Sequence, residues 1–232
     1  MNRLALRLLF RPRQERVGIS ITAGLAAGTV LAGALGWLIR RVIWKAHATL
    51  DRRLTLAVKE LHTPRRERLA HAASALAHQH VLVPASLATL LLLLRARHKV
   101  SAALFTGTVA GGFLLSTVLK ISFRRARPEL WPALVTEETY SFPSGHATLA
   151  TVFYGGLAGV AFHLSPRPLV RVSSLAAAGA LVGAIGFSRV YLGAHWTTDV
   201  VGGTLLGLTW QVFCLTATEV LGPHFGPKRL FP

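Results

Sequence analysis

The chain has 232 residues, 52% of them hydrophobic and only 15% charged, with a mean hydropathy of +0.47. That balance excludes an ordinary water-soluble globular domain and points to an integral membrane protein. The formal charge of +17 would suit a nucleic-acid binder, but the 26 Lys and Arg lie between apolar runs rather than on one soluble face, which fits an anionic bilayer surface and argues against nucleic acid as a partner.

A hydrocarbon core about 30 Å thick needs roughly 20 apolar residues per helix. Six uncharged runs meet that need, at about 17–39, 72–94, 100–119, 145–165, 172–187 and 200–221. They predict an all-α bundle of six transmembrane helices forming one domain over 1–232. The first run follows MNRLALRLLFRPRQER, with five Arg in sixteen residues. It is too long for the apolar core of a cleaved signal and reads as a retained span behind a basic anchor.

The first loop, 40–71, places Leu50, Leu54, Val58 and Leu61 at helical spacing among Asp51, Arg52, Arg53, Lys59 and Glu60. This pattern predicts an amphipathic helix at the membrane interface, or a connector helix with a solvated charged face. Thr63-Pro64 would end it and start the next helix. Pro84 is expected to kink the second span. Trp37, Trp44, Trp131 and Trp196 fall near one face, as an aromatic belt would. Glycines four apart recur at 24/28, 107/111, 155/159, 179/183 and 203/207, a spacing that lets helices approach closely in lipid. The fifth run is short and can borrow turns from its flanks. Cys214 is the single cysteine, so no internal disulfide forms.

Three stretches carry candidate chemistry. After the third run comes LKISFRRARPEL. Were the helix to continue, Lys120, Arg124 and Arg127 would share a face, and an Arg fork with a Lys point charge suits a phosphate. On its own the cluster equally suits a headgroup-facing basic patch. The fourth run opens with Pro143-Ser144-Gly145-His146. Ser144 is a natural N-cap, Gly145 lets the backbone approach a ligand, and the free N–H groups of a helix start attract an anion. His146 can give or take a proton. After the fifth run comes SRVYLGAHWTTD, where Arg189 follows Ser188 and His195 and Asp199 stand four apart. On a helix they would share a face, the carboxylate taking the Nδ1 proton and leaving Nε2 free.

By parity of six spans all three stretches emerge on one side. Lys120, Arg127, Ser144, His146, Arg189, His195 and Asp199 then converge on a phosphoryl-transfer kit that requires no metal or cofactor. Charge leaves the orientation open, since the two sides divide the Lys and Arg 12 to 14.

The pattern Lys-x6-Arg-Pro (Lys120 to Pro128), Pro-Ser-Gly-His (143 to 146) and Ser-Arg-x5-His-x3-Asp (Ser188 to Asp199) resembles the three-part signature of the type 2 phosphatidic acid phosphatase superfamily, which also includes vanadium haloperoxidases. The resemblance implies that His195 attacks phosphorus and becomes a phosphohistidine, with Asp199 orienting it and His146 protonating the leaving oxygen. Lys120, Arg127, Arg189, the Ser144 hydroxyl and the Gly145 N–H would hold the phosphate oxygens. It implies substrates that are lipid phosphates or diphosphates, such as polyprenyl diphosphate, phosphatidic acid or phosphatidylglycerol phosphate. It also implies a site facing away from the cytoplasm, with both termini inside. Arg outnumbers Lys 21 to 5 and Asn occurs once, which suggests a GC-rich bacterial genome and a bacterial cell membrane. Two other readings stay open: a phosphatase acting on a soluble sugar phosphate, and a non-catalytic membrane interaction protein. The second predicts lost catalytic positions, and none of the seven is lost.

Overall fold

The computed structural model describes residues 13–43 and 48–225 of the chain, and the side chains of 21–41 and 49–218. Most of the basic N-terminal anchor, and Trp44 of the aromatic set, lie outside the described residues. Among those described, eight helices account for the regular structure: α1 (Arg13–Ile43), α2 (Ala48–Lys59), α3 (Pro64–Ala75), α4 (Gln79–Arg95), α5 (Lys99–Phe123), α6 (Gly145–Leu164), α7 (Pro168–Tyr191) and α8 (Thr197–Phe225). Five are long and apolar enough to cross a bilayer, within α1, α5, α6, α7 and α8. The pair α3 and α4, bent by 41° at the intervening break, together is also long and apolar enough to make a sixth crossing if it forms one span.

Pro84 lies inside α4, which runs through it without interruption, and the 41° change of direction falls ahead of it at Leu76–His78. The backbone groups freed there find partners: the Leu76 carbonyl accepts from the Tyr154 hydroxyl at 2.9 Å, and the His78 ring takes the His80 N–H at 3.4 Å as an N-cap. Backbone polar groups at membrane depth require such partners. Thr63 and Pro64 start α3 as expected, with the Thr63 hydroxyl accepting from the Arg66 N–H.

Helix α8 is the spine of the bundle, packing against α1, α5, α6 and α7. Both members of two glycine pairs make that packing possible. Gly24 and Gly28 on α1 face Thr216 and Val212 of α8, and Gly203 and Gly207 on α8 face Ser144, Thr148 and Thr151 of α6. Gly179 and Gly183 meet open space, as do Gly107 and Gly159, so spacing alone did not distinguish a seam from a free surface. A second core of Leu82, Leu93, Phe105, Ala150, Phe153 and Ile185 joins α4 through α7. Leu91, Leu92, Leu114, Leu169, Val172 and Phe213 are exposed and form part of the apolar outer surface.

The fifth crossing does borrow turns, extending to 24 residues. It continues through Ser188 and Arg189 because both are buried with partners. In α2, Leu50, Leu54 and the following Leu61 are 47%, 41% and 42% exposed, which suits an interfacial face and a connector helix alike. Its inner face is polar rather than apolar: Asp51 and Thr55 are fully buried, and only Val58 packs on the apolar cluster of Tyr191 and Leu192. Of the tryptophans, Trp37 is exposed, whereas Trp196 is half-buried and its indole donates to the Ala126 carbonyl at 3.1 Å.

A β-carbon on Gly207 would come within 2.7 Å of Thr151 Cβ. Overpacking of this kind costs about 1–3 kcal/mol. Gly207→Val is therefore expected to lower the thermal midpoint of the purified protein, and Gly183→Val, which meets nothing, to leave it unchanged.

Candidate functional site

Each motif residue reaches the site by a local device. Helix α5 ends at Phe123 because Arg124 turns left-handed, with φ of 45°. Arg127 precedes Pro128, a position that disfavours helix. The expected helical face of Lys120, Arg124 and Arg127 therefore does not form. Arg124 is exposed with its Nε donating to the Ile121 carbonyl, while Arg127 returns to the site from the loop.

The start of α6 is the cap expected from Pro-Ser-Gly-His. Ser144 is fully buried, and its hydroxyl accepts from the Ala147 N–H at 3.4 Å. Its own N–H donates to the Asp199 carbonyl at 3.0 Å, tying the beginnings of α6 and α8 together. The Lys120 stem lies against Gly145: a β-carbon there would be 3.5 Å from Lys120 Cε.

Gly193, at φ of 74°, ends α7 in a paired reversal: Ala194 N–H donates to the Arg189 carbonyl and Gly193 N–H to that of Val190. The reversal folds His195 back over the end of the helix that carries Arg189. His195 thus stands in the connection before α8, not on a helix with Asp199. Asp199 sits in the first turn of α8 and reaches back to the Trp196 N–H at 2.9 Å, the acidic half of a capping box.

The carboxylate of Asp199 and the imidazole of His195 still meet, with Oδ2 3.6 Å from Nδ1, both buried. On the other side of the ring, Arg127 Nη1 lies 3.3 Å from Nε2 and donates to the Ala194 carbonyl at 2.6 Å. A guanidinium only donates. Accepting from Arg127 would put the lone pair on Nε2 and the proton on Nδ1, on the side of the carboxylate, which lies just beyond hydrogen-bond distance.

The three cations converge through one segment. Lys120 Nζ donates to the Tyr140 carbonyl at 2.6 Å, and Arg127 to the carbonyls of Thr139 at 2.7 Å and Tyr140 at 3.3 Å. Glu137 lies between the guanidiniums, with Oε2 3.4 Å from Arg127 Nη2 and Oε1 on Arg189 Nη2. Arg189 is otherwise held by the Ser74 hydroxyl at 2.5 Å. The His146 ring is 6.3 Å from that of His78 at the break in the second crossing. Among the described residues no three His, Cys, Asp or Glu side chains gather as a metal-binding set.

Several members of this site were not singled out from sequence. Ser141 donates to Asp199 Oδ2, and Arg125 Nη1 to Oδ1 at 2.5 Å. Ser74, Glu137 and Thr198 are equally unsignalled. The connection 124–143 carries three Arg and three Glu, so neither sign nor spacing marked Glu137 out.

Burial pushes the His195 imidazole down from its ordinary 6.5 to about 4, against the opposing pull of Asp199. Below pH 6.5 the unfolded chain takes this proton first, so the contribution destabilises the fold progressively as pH falls to about 4. The shift corresponds to roughly 3 kcal/mol. His195→Gln, which cannot titrate, is expected to lose less thermal stability than the parent between pH 6.5 and 4.

Comparison with known proteins places these stretches in one frame. The chain is 43% identical over 96 residues to the phosphatidylglycerophosphatase B of Bacillus subtilis, covering 41% of this chain and 47% of that protein. It is 29% identical over 150 residues to an undecaprenyl-diphosphatase of Sulfolobus acidocaldarius, covering 62% of this chain and 66% of the relative. The chain thus spans about half to two thirds of the length of these curated relatives. Its fold matches the crystal structure of a transmembrane PAP2 type phosphatidylglycerolphosphate phosphatase from Bacillus subtilis with a TM-score of 0.77 and 27% identity, over 88% of this chain and 99% of that one. The PAP2 superfamily pattern itself matches residues 100–222, a stretch that begins in α5, ends in α8 and contains all three motif segments, and the chain belongs to that superfamily.

Proposed function

We propose that the protein is a membrane phosphatase, one domain over its length, that removes a phosphate from a lipid phosphate or diphosphate by way of a phosphohistidine on His195. The observation that carries the reading is geometric: a buried imidazole with Asp199 on its Nδ1 side and Arg127 on its Nε2 side, beside three cations that converge on one place. The relatives named for phosphatidylglycerophosphate and undecaprenyl diphosphate support a lipid substrate, as does a site built at the ends of apolar helices. The family resemblance supports an extracytoplasmic site in a bacterial cell membrane, with both termini cytoplasmic.

In the first step the Nε2 lone pair forms a bond to phosphorus as the bond to the lipid oxygen breaks, and that oxygen takes a proton from His146. The Nδ1 proton stays between the ring and Asp199, which offsets the positive charge the ring acquires. In the second step water attacks phosphorus, the P–N bond breaks, and His146 takes a proton from the water. Lys120, Arg127, Arg189 and the Gly145 N–H stabilise the equatorial oxygens throughout. The Ser144 hydroxyl, used here as a helix cap, keeps that N–H at the site. No step draws on a metal.

His195→Ala is expected to abolish phosphate release from phosphatidic acid and from polyprenyl diphosphate in detergent micelles, with release by the parent unchanged by chelator. Turnover by the purified variant at the parent rate would remove His195 from the nucleophile role, and dependence on added divalent cation would remove the metal-free cradle. A soluble sugar phosphate, tried in parallel, separates the second substrate class.

Glu137 and the carbonyls of Thr139 and Tyr140 take up donors that a phosphate would need, so the substrate has to displace a carboxylate from between two guanidiniums. Glu137→Gln is expected to tighten competitive inhibition by inorganic phosphate severalfold. Weaker inhibition would mean that Glu137 holds the guanidiniums in place instead of competing for them.

A further inference from the structure

Asp51, Arg125 and Thr198 are not among the seven motif positions, yet they form the most completely bonded polar cluster next to the His195–Asp199 pair. Asp51 is fully buried on the inner face of α2. Its Oδ2 accepts from Arg125 Nη2 at 2.7 Å and from Thr198 Oγ1 at 2.5 Å, and its Oδ1 accepts from the Thr198 N–H at 3.0 Å. The same guanidinium donates through Nη1 to Asp199 Oδ1 at 2.5 Å and to Thr198 Oγ1 at 2.8 Å. One planar fork thus joins two buried carboxylates from different helices, and one of those carboxylates faces the imidazole.

The two oxygens of Asp199 are divided. Oδ2 serves Ser141, the Trp196 N–H and His195, while Oδ1 is held by Arg125. Arg125 therefore sets the rotation of the carboxylate plane, and with it which oxygen faces Nδ1. Arg125 in turn can swing away unless its other nitrogen is fixed, which Asp51 does. Buried ion pairs rarely stabilise a fold better than apolar residues of the same volume. Here the set also carries one more negative charge than positive, next to a ring that becomes positive when Nε2 gives up its lone pair.

We propose that Asp51 and Arg125 are positioning residues for the His195–Asp199 pair, so that the interfacial helix α2 carries part of the reaction machinery. Leu50 and Leu54 on that helix face outward while Asp51 faces in. The exposed leucines and the aspartate that orients the nucleophile then lie on opposite sides of one helix, whose diameter is about 10 Å. The inference rests on the phosphatase reading above.

The test uses the purified full-length protein in mixed micelles with phosphatidic acid as substrate and inorganic phosphate as competitive inhibitor. Asp51→Asn removes the charge with little change of shape, and Thr198→Val breaks the bridge to Asp51 without touching a charge. Losing a hydrogen bond to a charged group that orients the nucleophile is expected to lower kcat by about 10- to 100-fold in Asp51→Asn and less in Thr198→Val. KM and the inhibition constant for phosphate should stay within about twofold, because the cradle cations are untouched. An unchanged kcat would overturn the proposal. So would a loss of phosphate affinity in step with kcat, or the failure of both variants to fold, since either outcome would make the cluster a scaffold for the whole site. The parent and His195→Ala run alongside keep the two ideas apart: no phosphate release by the parent would end the phosphatase reading itself, and retained activity in His195→Ala would end its nucleophile role, whatever Asp51→Asn did.

Discussion

A carboxylate shut away from water is the constraint around which this bundle is arranged. Asp199 has no exposure, and an unpaired charge there would cost several kcal/mol. It is accommodated by donors from two pieces of chain, Arg125 and Ser141 from the loop after α5 and the Trp196 N–H from the start of its own helix, with the His195 ring facing it at 3.6 Å. The left-handed end of α5, the reversal at Gly193 and the cap of α8 can all be read as means of bringing donors to one acid.

The cations on the other side of His195 pose the opposite problem. Lys120, Arg127 and Arg189 repel one another in a medium that screens poorly, and the chain answers with oxygens from a single segment. Glu137 and the carbonyls of Thr139 and Tyr140 neutralise or solvate all three. The imidazole lies between an anion-centred half and a cation-centred half. Its proton is directed one way and its lone pair the other.

What could be read from the residues was whatever depends on composition or on short-range spacing. Apolar runs marked the crossings, Ser144 marked a helix start, Thr63-Pro64 marked a boundary, and the motif spacings brought the right residue types to one side. Long-range partnership was not legible. Asp51 looked like one charge on a solvated face because its partners, Arg125 and Thr198, are 74 and 147 positions away. Arg125 looked redundant beside Arg124 and Arg127, and only the turn at Arg124 decides which of the three faces inward. The break at Leu76–His78 carries no proline, and Pro84, which does, is absorbed by the helix.

The seam between α6 and α8 has a mechanical consequence. Gly203 and Gly207 remove the space between these helices, and the bond from Ser144 to the Asp199 carbonyl locks their beginnings. His146 rides on one helix and Asp199 on the other, so the tight seam holds these two residues in register, and a change that widened it would displace both together.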